Sequence, residues 1–169
     1  MQIRKTQLTD IPALLKIFDN ARLFMAQNGN PNQWPSNYPN EQGLLLDIQK
    51  DQSYVCIEKN EIKNEVKEEI VGTFVLMFTE EPTYASIDGA WLNNLPYGTL
   101  HRIASSGKVK KLSDIIFTWA SKQIPELRCD THADNIFMQN AFLRNGFVYC
   151  GIITLANGDL RNAYQRIAQ

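Results

Sequence analysis

The sequence has few of the residues that build cross-linked or metal-dependent domains. Its 169 residues include three cysteines, Cys56, Cys129 and Cys150, and no CxxC pair. It contains two histidines. An odd cysteine count and two scattered histidines argue against a disulfide framework or a zinc cluster, so we expect reduced thiols and no bound metal.

The sequence also lacks a strong net charge and a long apolar run. Its 17 basic and 18 acidic side chains give a formal net charge of -1, so no global field favours nucleic acid or an anionic membrane. No apolar run approaches the roughly 18 residues of a membrane span. The polar start, Met1–Thr6, lacks the apolar stretch of a signal peptide. We therefore predict a cytoplasmic protein with neither a nucleic-acid nor a membrane partner.

The rest of the composition is ordinary for a globular protein. Apolar residues make up 44% and charged residues 21% of the chain. A chain of 169 residues is long enough to bury a hydrophobic core. The sequence contains neither an internal repeat nor a linker. We therefore predict a single domain over residues 1–169.

Apolar periodicity predicts strands and helices in a regular order along the chain. Residues 53–58 and 70–78 should form an antiparallel pair of strands, with the charged segment 58–69 as a solvated hairpin tip. Residues 80–97 are polar and predict a loop or a broken strand. The other predicted strands are 2–6, 97–104, 127–131, 147–155 and 160–167, and the predicted helices are about 10–25, 44–48, 108–121 and 135–145.

One loop is unusually long. Residues 28–40 are rich in Asn, Pro and Gly and contain two aromatic side chains, Trp34 and Tyr38. Loops of this length without regular structure are often functional. Trp34 and Tyr38 are therefore candidates for the wall of an acceptor site, and the alternative is that both rings plug the edge of the core.

The second half of the chain carries a recognisable motif. In Cys129–Phe147, a strand end is followed by Asn135 at the start of a helix, by Phe142, and by the pair Gly146-Phe147. This pattern resembles the second coenzyme A motif of the GNAT superfamily of N-acetyltransferases. The segment Thr131–Asn135 and its surroundings also resemble an uncharacterised bacterial GNAT subgroup, and the order of predicted elements is that of the superfamily.

The resemblance implies a fold and an activity. The fold is α/β (α+β): the GNAT acyl-CoA N-acyltransferase fold, with a mixed, mostly antiparallel central sheet flanked by helices. The activity is direct transfer of an acetyl group from acetyl-CoA to a primary amine of a small molecule, amino acid or peptide in a ternary complex. The alternative is a non-catalytic GNAT-fold module that binds CoA or a protein. The protein would be a monomer or a homodimer.

The first CoA motif of the family is altered in this chain. The family has a strand, an Arg/Gln-x-x-Gly-x-Gly/Ala loop and a helix, whose backbone N–H groups hold the pyrophosphate. Lys108 falls at the Arg/Gln position, while Lys111 and Ser113 replace residues that are usually small. Lysines at a helix start oppose the helix dipole, which favours a bound polyanion over the alternative of a solvated basic turn. The residues that the resemblance places at the cofactor here are Ile103, Ala104, Ser105, Lys108, Val109, Lys110, Lys111, Leu112 and Ser113.

Acetyl transfer to an amine needs a base, a polarised carbonyl and a proton for the leaving thiolate. The family's usual acid is a tyrosine at the position of Phe142, which has no hydroxyl. Tyr149 and Tyr164 are possible substitutes, unless they are core tyrosines. His101 on the central strand is the candidate base because an unperturbed imidazole titrates near neutrality. If its face of the strand meets a helix instead, it is a core histidine.

Four further positions complete the predicted site. His132 and Asn135 follow a strand end, where ligands of open α/β sheets bind, so both are candidates for contact with the cofactor. Capping of the following helix by Asp134 or Asn135 is the alternative, and the two roles are compatible. Asp88 and Trp91 are candidates for the acceptor side. A catalytic role for Cys129 is disfavoured, because neighbours on a strand point to opposite faces.

Overall fold

A computed structural model describes residues 1–62 and 65–167, without the side chains of 60–62, 65 and 66. Its helices are α1 (Ile11–Gln27), α2 (Glu41–Gln49), α3 (Leu112–Gln123) and α4 (Ile136–Arg144). Its strands are β1 (Gln2–Lys5), β2 (Ser53–Ile62), β3 (Glu65–Met77), β4 (Asp88–Gly89), β5 (Gly98–Ser105), β6 (Leu127–Thr131), β7 (Val148–Thr154) and β8 (Leu160–Arg166).

The strands form a mixed sheet in the order β1-β2-β3-β5-β6-β8-β7-β4. The pair β5–β6 is parallel, with Gly98 opposite Leu127, whereas β1–β2, β2–β3, β6–β8, β7–β8 and β4–β7 are antiparallel. A mostly antiparallel sheet with four helices in the described residues confirms the predicted fold class.

The chain divides into two compact units. The first consists of Met1–Val75 and Arg102–Leu112, and the second of Leu76–His101 and Ser113–Gln169. The single domain expected over residues 1–169 stays a prediction.

The core of the first unit is built by α1 on β2. Leu14, Ile17 and Phe18 recur at helical spacing, so one stripe of α1 buries all three side chains. They pack in one cluster with Val55 and Ile57 of β2. Burial of each such side chain contributes about 1.5–3 kcal/mol, which holds the helix on the sheet.

The hairpin of β2 and β3 is longer than predicted. The two strands pair antiparallel, as expected, but the ladder continues beyond residue 58 on β2 and begins at residue 65 on β3. A cross-strand ion pair between Lys59 and Glu68 (3.0 Å) shows that alternating opposite charges suit exposed strand positions. The charged segment is therefore largely strand, and residues 63 and 64 of the predicted tip lie outside the described residues.

The core of the second unit contains a cluster of aromatic rings. Phe117 of α3 lies 5.0 Å from Phe147 and 5.6 Å from Phe142 of α4, centroid to centroid. Phe142 in turn lies 5.0 Å from Tyr164 of β8. Rings at these separations add about 0.5–1.5 kcal/mol per pair beyond the burial of their area, so the cluster fixes α3 and α4 on this part of the sheet.

Two residues with positive φ change the predicted geometry around β5. Lys111 has φ +56°, so the helix predicted to start at Lys108 starts at Leu112, because a left-handed residue cannot continue a right-handed helix. Arg102 has φ +51° within β5. Regular alternation along β5 would place Thr99, His101 and Ile103 on one face, and the left-handed backbone at Arg102 interrupts this alternation.

None of the helices in the described ranges combines the length and the apolar character that a membrane crossing requires.

Candidate active site

The side chain of His101 lies between two carboxylates in the second unit. Its Nε2 is 3.1 Å from Oε2 of Glu81, and its Nδ1 is 3.9 Å from Oδ1 of Asp130. About a fifth of the His101 side chain remains exposed. Because a carboxylate only accepts hydrogen bonds, Nε2 carries the hydrogen, and the lone pair of the neutral ring is on Nδ1.

Glu81 is held in place from three sides. It caps the short 3₁₀ turn Pro82–Tyr84, where its Oε1 accepts hydrogen bonds from the backbone N–H (3.2 Å) and the hydroxyl (2.9 Å) of Thr83. Its own backbone N–H donates to the hydroxyl of Tyr97. The hydrogen bond from His101, with that from Thr83, lowers the pKa of Glu81 to about 2, so this carboxylate is ionised at neutral pH.

Asp130 is oriented by a buried tyrosine. The hydroxyl of Tyr84 donates a 2.6 Å hydrogen bond to Oδ1 of Asp130. Burial, and the negative charge of Asp130, raise the pKa of Tyr84 well above its usual value, so the phenol stays a donor. Tyr84 also lies 6.3 Å from His101, ring to ring. Tyr84 thus contacts both Asp130 and His101, and the three side chains form one packed group.

An arginine stacks on the aromatic side chains of the same unit. The guanidinium of Arg128 lies 4.2 Å from the ring centre of Trp91 and 3.9 Å from that of Tyr97. It donates to the backbone carbonyl of Asn93 (2.7 Å). Trp91 itself donates from Nε1 to the carbonyl of Tyr84 (3.0 Å). Arg128 therefore fixes the segment that follows β4, and it is almost fully buried there.

The first unit contains a separate polar group around Arg102. Its guanidinium donates to the hydroxyl of Tyr38 (2.9 Å) and to Oδ1 of Asp47 (2.6 Å). The ring of Trp34 lies edge-on to the rings of Phe18 and Tyr38, with ring centroids 5.9 Å and 6.1 Å apart respectively. Trp34 is half-buried against the core, so this ring does close the edge of the core, whereas Tyr38 is more exposed.

Two residues in the loop after β5 have the left-handed backbone conformation that glycine adopts most readily. Ser105 Oγ accepts from the N–H of Gly107 (3.1 Å), and Gly107 and Lys111 both have positive φ. Lys111 occupies the position where the GNAT motif usually has glycine, so the left-handed backbone persists with a lysine side chain. Leu112, which follows, is buried against Gly72. A Cβ added at residue 72 would also lie only 2.8 Å from the carbonyl oxygen of Ala104.

The lysines of this loop precede the helix. Lys108, Lys110 and Lys111 are exposed, and Lys108 Nζ forms an ion pair with Oε1 of Glu69. The N–H of Lys108 also donates a long bond to Ser106 Oγ (3.4 Å). The loop is therefore basic at its surface, and the charge of Lys108 is paired with that of Glu69.

The second predicted cofactor segment is a capped helix start. Asn135 Oδ1 accepts from the N–H of Met138 (3.0 Å) and so caps α4. His132 Nδ1 accepts from the N–H of Asp134 (3.2 Å), which leaves its Nε2 hydrogen for another partner. Both side chains thus organise the turn before α4.

The aromatic and thiol candidates differ in exposure. Phe142 is 1% exposed within the aromatic cluster, whereas Tyr149 is 49% exposed with its ring against that of Tyr164. Tyr164 is buried and donates to Oε1 of Gln139 (3.0 Å). Cys129 is fully buried, and burial raises its pKa well above the usual value, which argues against a nucleophilic thiolate.

The structure brings together only part of the predicted site. His101 and Trp91 belong to one packed group through Tyr84, whereas Asp88 is exposed on β4. Sequence reasoning missed Glu81 and Asp130. The signal for both was weak: a Glu before a proline in the polar loop, and an Asp near the end of a strand. Within residues 1–62 and 65–167, no cluster of His, Cys, Asp or Glu side chains is arranged to hold a metal ion.

Comparison with solved structures identifies the fold. An acetyltransferase of the GNAT family from Streptococcus agalactiae is 29% identical, with a TM-score of 0.85 over 99% of this chain and 95% of that chain. A GNAT-family acetyltransferase from Listeria monocytogenes is 18% identical, with a TM-score of 0.66 over 98% of this chain and 94% of that chain. A ribosomal-protein-S5-alanine acetyltransferase from Vibrio fischeri is 17% identical, with a TM-score of 0.58 over 99% and 93%.

The resemblance to the GNAT superfamily is thereby confirmed, and the fold is the GNAT fold. No family model matches the chain, and no curated protein matches it either. The similarity to the streptococcal acetyltransferase extends over nearly the whole of both chains and supports an acyl-transfer activity in general.

Proposed function

We propose that this chain, which has the fold of the GNAT acetyltransferases, transfers the acetyl group of acetyl-CoA to a primary amine. The observation that carries the proposal is the arrangement of His101 between Glu81 and Asp130. An imidazole whose Nε2–H is bonded to a carboxylate keeps its lone pair on the opposite nitrogen, which is the state that a general base requires.

The proposed reaction is direct transfer in a ternary complex. Nδ1 of His101 takes a proton from the acceptor ammonium, and the amine nitrogen attacks the thioester carbonyl carbon. The C–N bond forms, the nitrogen loses its second proton to solvent and the C–S bond breaks, so CoA leaves as a thiolate. The carboxylate of Glu81 stabilises the imidazolium that forms in this step, because it holds the opposite N–H.

Tyr149 is the proposed proton donor to the thiolate. Its hydroxyl belongs to a half-exposed side chain, whereas that of Tyr164 is buried and bonded to Gln139. Phe142 is buried and has no hydroxyl to donate. Replacement of Tyr149 by Phe should therefore lower kcat and leave the affinity for acetyl-CoA unchanged, and an unaltered kcat would remove Tyr149 from the reaction.

The loop after β5 is the proposed phosphate site. Lys111 has a left-handed backbone conformation just before the start of α3, and backbone N–H groups from Val109 to Ser113 would face the pyrophosphate. Lys108, Lys110 and Lys111 would add charge to that binding. Ile103, Ala104 and Ser105 would contact the acyl end, and His132 and Asn135 the second motif's side of the cofactor.

The proposal is tested by binding and turnover measured separately. Isothermal titration with acetyl-CoA should show binding, and a thiol-release assay over a panel of primary amines should show turnover. His101→Ala should abolish the rise of kcat/KM with pH that a general base produces, while the affinity for acetyl-CoA stays the same. Binding of acetyl-CoA without turnover of any amine would favour a non-catalytic module, and absence of binding would contradict both functions.

A further inference from the structure

The charges around His101 restrict the acceptor, provided that the proposed acetyltransferase function holds. Both neighbours of the imidazole are carboxylates, Glu81 at 3.1 Å and Asp130 at 3.9 Å. Neither forms an ion pair with a lysine or an arginine of the described residues. An incoming group therefore meets negative charge at the base, which attracts an ammonium and repels an anion.

One carboxylate oxygen of this group is unused. Both oxygens of Glu81 are bonded, Oε1 to Thr83 and Oε2 to His101. Oδ1 of Asp130 accepts from Tyr84, whereas Oδ2 accepts no hydrogen bond from the described residues. The buried side-chain polar atoms without a partner in this part of the chain do not include Oδ2, so this oxygen reaches solvent.

The arginines nearest along the chain are already engaged. Arg128 stacks on Trp91 and donates to the carbonyl of Asn93, and it is 5% exposed. Arg102, which follows His101 in the sequence, donates to Tyr38 and Asp47 in the first unit. Recognition of a substrate carboxylate normally uses a guanidinium fork with free donors. The Nε–H of each of these two side chains has no partner among the described residues but is buried, so neither offers such a fork to a substrate.

We propose that the acceptor is a cationic primary amine with no carboxylate on the carbon that bears the amino group, and that Asp130 Oδ2 binds its ammonium. Alkylamines, arylalkylamines and the side-chain amine of a lysine residue fit this description, and free α-amino acids do not. Oδ1 of Asp130 lies 3.9 Å from Nδ1 of His101, so an ammonium bound by this carboxylate would be near the nitrogen that takes its proton.

The experiment compares amines that differ at one position. Tyramine, tyrosine amide and tyrosine share the amine and the ring, and phenethylamine, phenylalanine amide and phenylalanine form a second series. With acetyl-CoA saturating, kcat/KM for the amine and the amide should exceed that for the free amino acid at least tenfold. Because the amide keeps the added bulk without the charge, it separates repulsion from steric exclusion.

Asp130→Asn assigns the preference to this residue. An asparagine Oδ1 still accepts from Tyr84, so the packing is retained, but the negative charge is lost. The variant should raise KM for tyramine at least tenfold and reduce the preference for tyramine over tyrosine to a similar extent, without altering the affinity for acetyl-CoA. Asp159→Asn, in the exposed turn between β7 and β8, is the matched control and should behave as the wild type.

The outcomes separate this inference from the proposed function. Turnover of tyrosine at least as efficient as that of tyramine overturns the acceptor class and leaves the acetyltransferase standing. If Asp130→Asn leaves the preference for tyramine over tyrosine unchanged, Asp130 does not bind the ammonium as proposed. If no amine is acetylated although CoA binds, the proposed function fails. Titration of tyramine into the CoA complex then decides the inference, since binding must weaken at least tenfold in Asp130→Asn.

Discussion

Nε2 of His101 donates to Oε2 of Glu81 across 3.1 Å, and 20 residues of chain separate the two. The pair is the feature of this molecule that links folding stability to the proposed chemistry. The same hydrogen bond that orients the imidazole also stabilises the charged form of the carboxylate. Changes at either residue should therefore be visible both in activity and in the pH dependence of stability.

The first prediction concerns the acid stability of this pair. The pKa of Glu81 is lowered from 4.5 to about 2, so its stabilisation is complete above pH 4.5 and disappears as the pH falls towards 2. The linked free energy is on the order of 2–3 kcal/mol. Urea unfolding should show that the wild type loses more stability than Glu81→Gln between pH 4.5 and pH 2.

The control for this prediction is an ordinary exposed carboxylate. Glu41→Gln changes an exposed side chain in the first turn of α2 and should leave the acid limb of the stability curve nearly as in the wild type. Equal loss of stability in the wild type and in Glu81→Gln would show that Glu81 has no depressed pKa.

The second prediction concerns the basic loop. Lys108→Ala together with Lys111→Ala should weaken binding of acetyl-CoA at least tenfold if these charges contact a polyanion. Because Lys108 pairs with Glu69 at the surface, Glu69→Gln should strengthen binding by about two- to fivefold, which is the range of an exposed ion pair. Isothermal titration at two salt concentrations measures both effects.

Lys122→Ala is the control for the lysine variants, because Lys122 is an exposed lysine in the last turn of α3. It should bind acetyl-CoA as the wild type does. An affinity unchanged by the double substitution at 108 and 111 would mean that these lysines are only solvated surface charge.

The third prediction concerns the backbone of Lys111. Its φ of +56° costs a residue with a Cβ about 1–2 kcal/mol that glycine does not incur. Lys111→Gly should therefore be about 1 kcal/mol more stable than Lys111→Ala, after the opposing entropy of the unfolded chain. For a chain of 169 residues this difference corresponds to about 2–4 °C in Tm, which calorimetry resolves. Equal Tm values would contradict the left-handed conformation.

The fourth prediction concerns the aromatic position of the second motif. Phe142→Tyr restores the hydroxyl that the superfamily often uses, but at a position that is 1% exposed. A buried hydroxyl without a partner costs about 1–3 kcal/mol, so the variant should be less stable and no faster than the wild type. A rise in kcat would show that the ring reaches the cofactor and that the proton route includes this position.

Much of the fold was predictable because its signals are local. The strand Leu127–Thr131 has the predicted bounds, and α4 lies between the predicted cap at Asn135 and Gly146, whose φ is +79°. Helix caps and apolar periods involve residues within about one or two turns of each other. The boundaries that were wrong, at β2, β3 and α3, depend on pairing and on backbone strain instead.

The sequence by itself determined the order of elements, the resemblance of the second motif and the candidate base. Only the tertiary structure decided that His101 lies between Glu81 and Asp130, and that Tyr84 reaches Asp130 across 46 residues of chain. The positive φ of Arg102 and Lys111 was likewise not readable, because neither is a glycine. Contacts between distant residues and strained backbones are set by packing of the whole chain, and no local pattern encodes them.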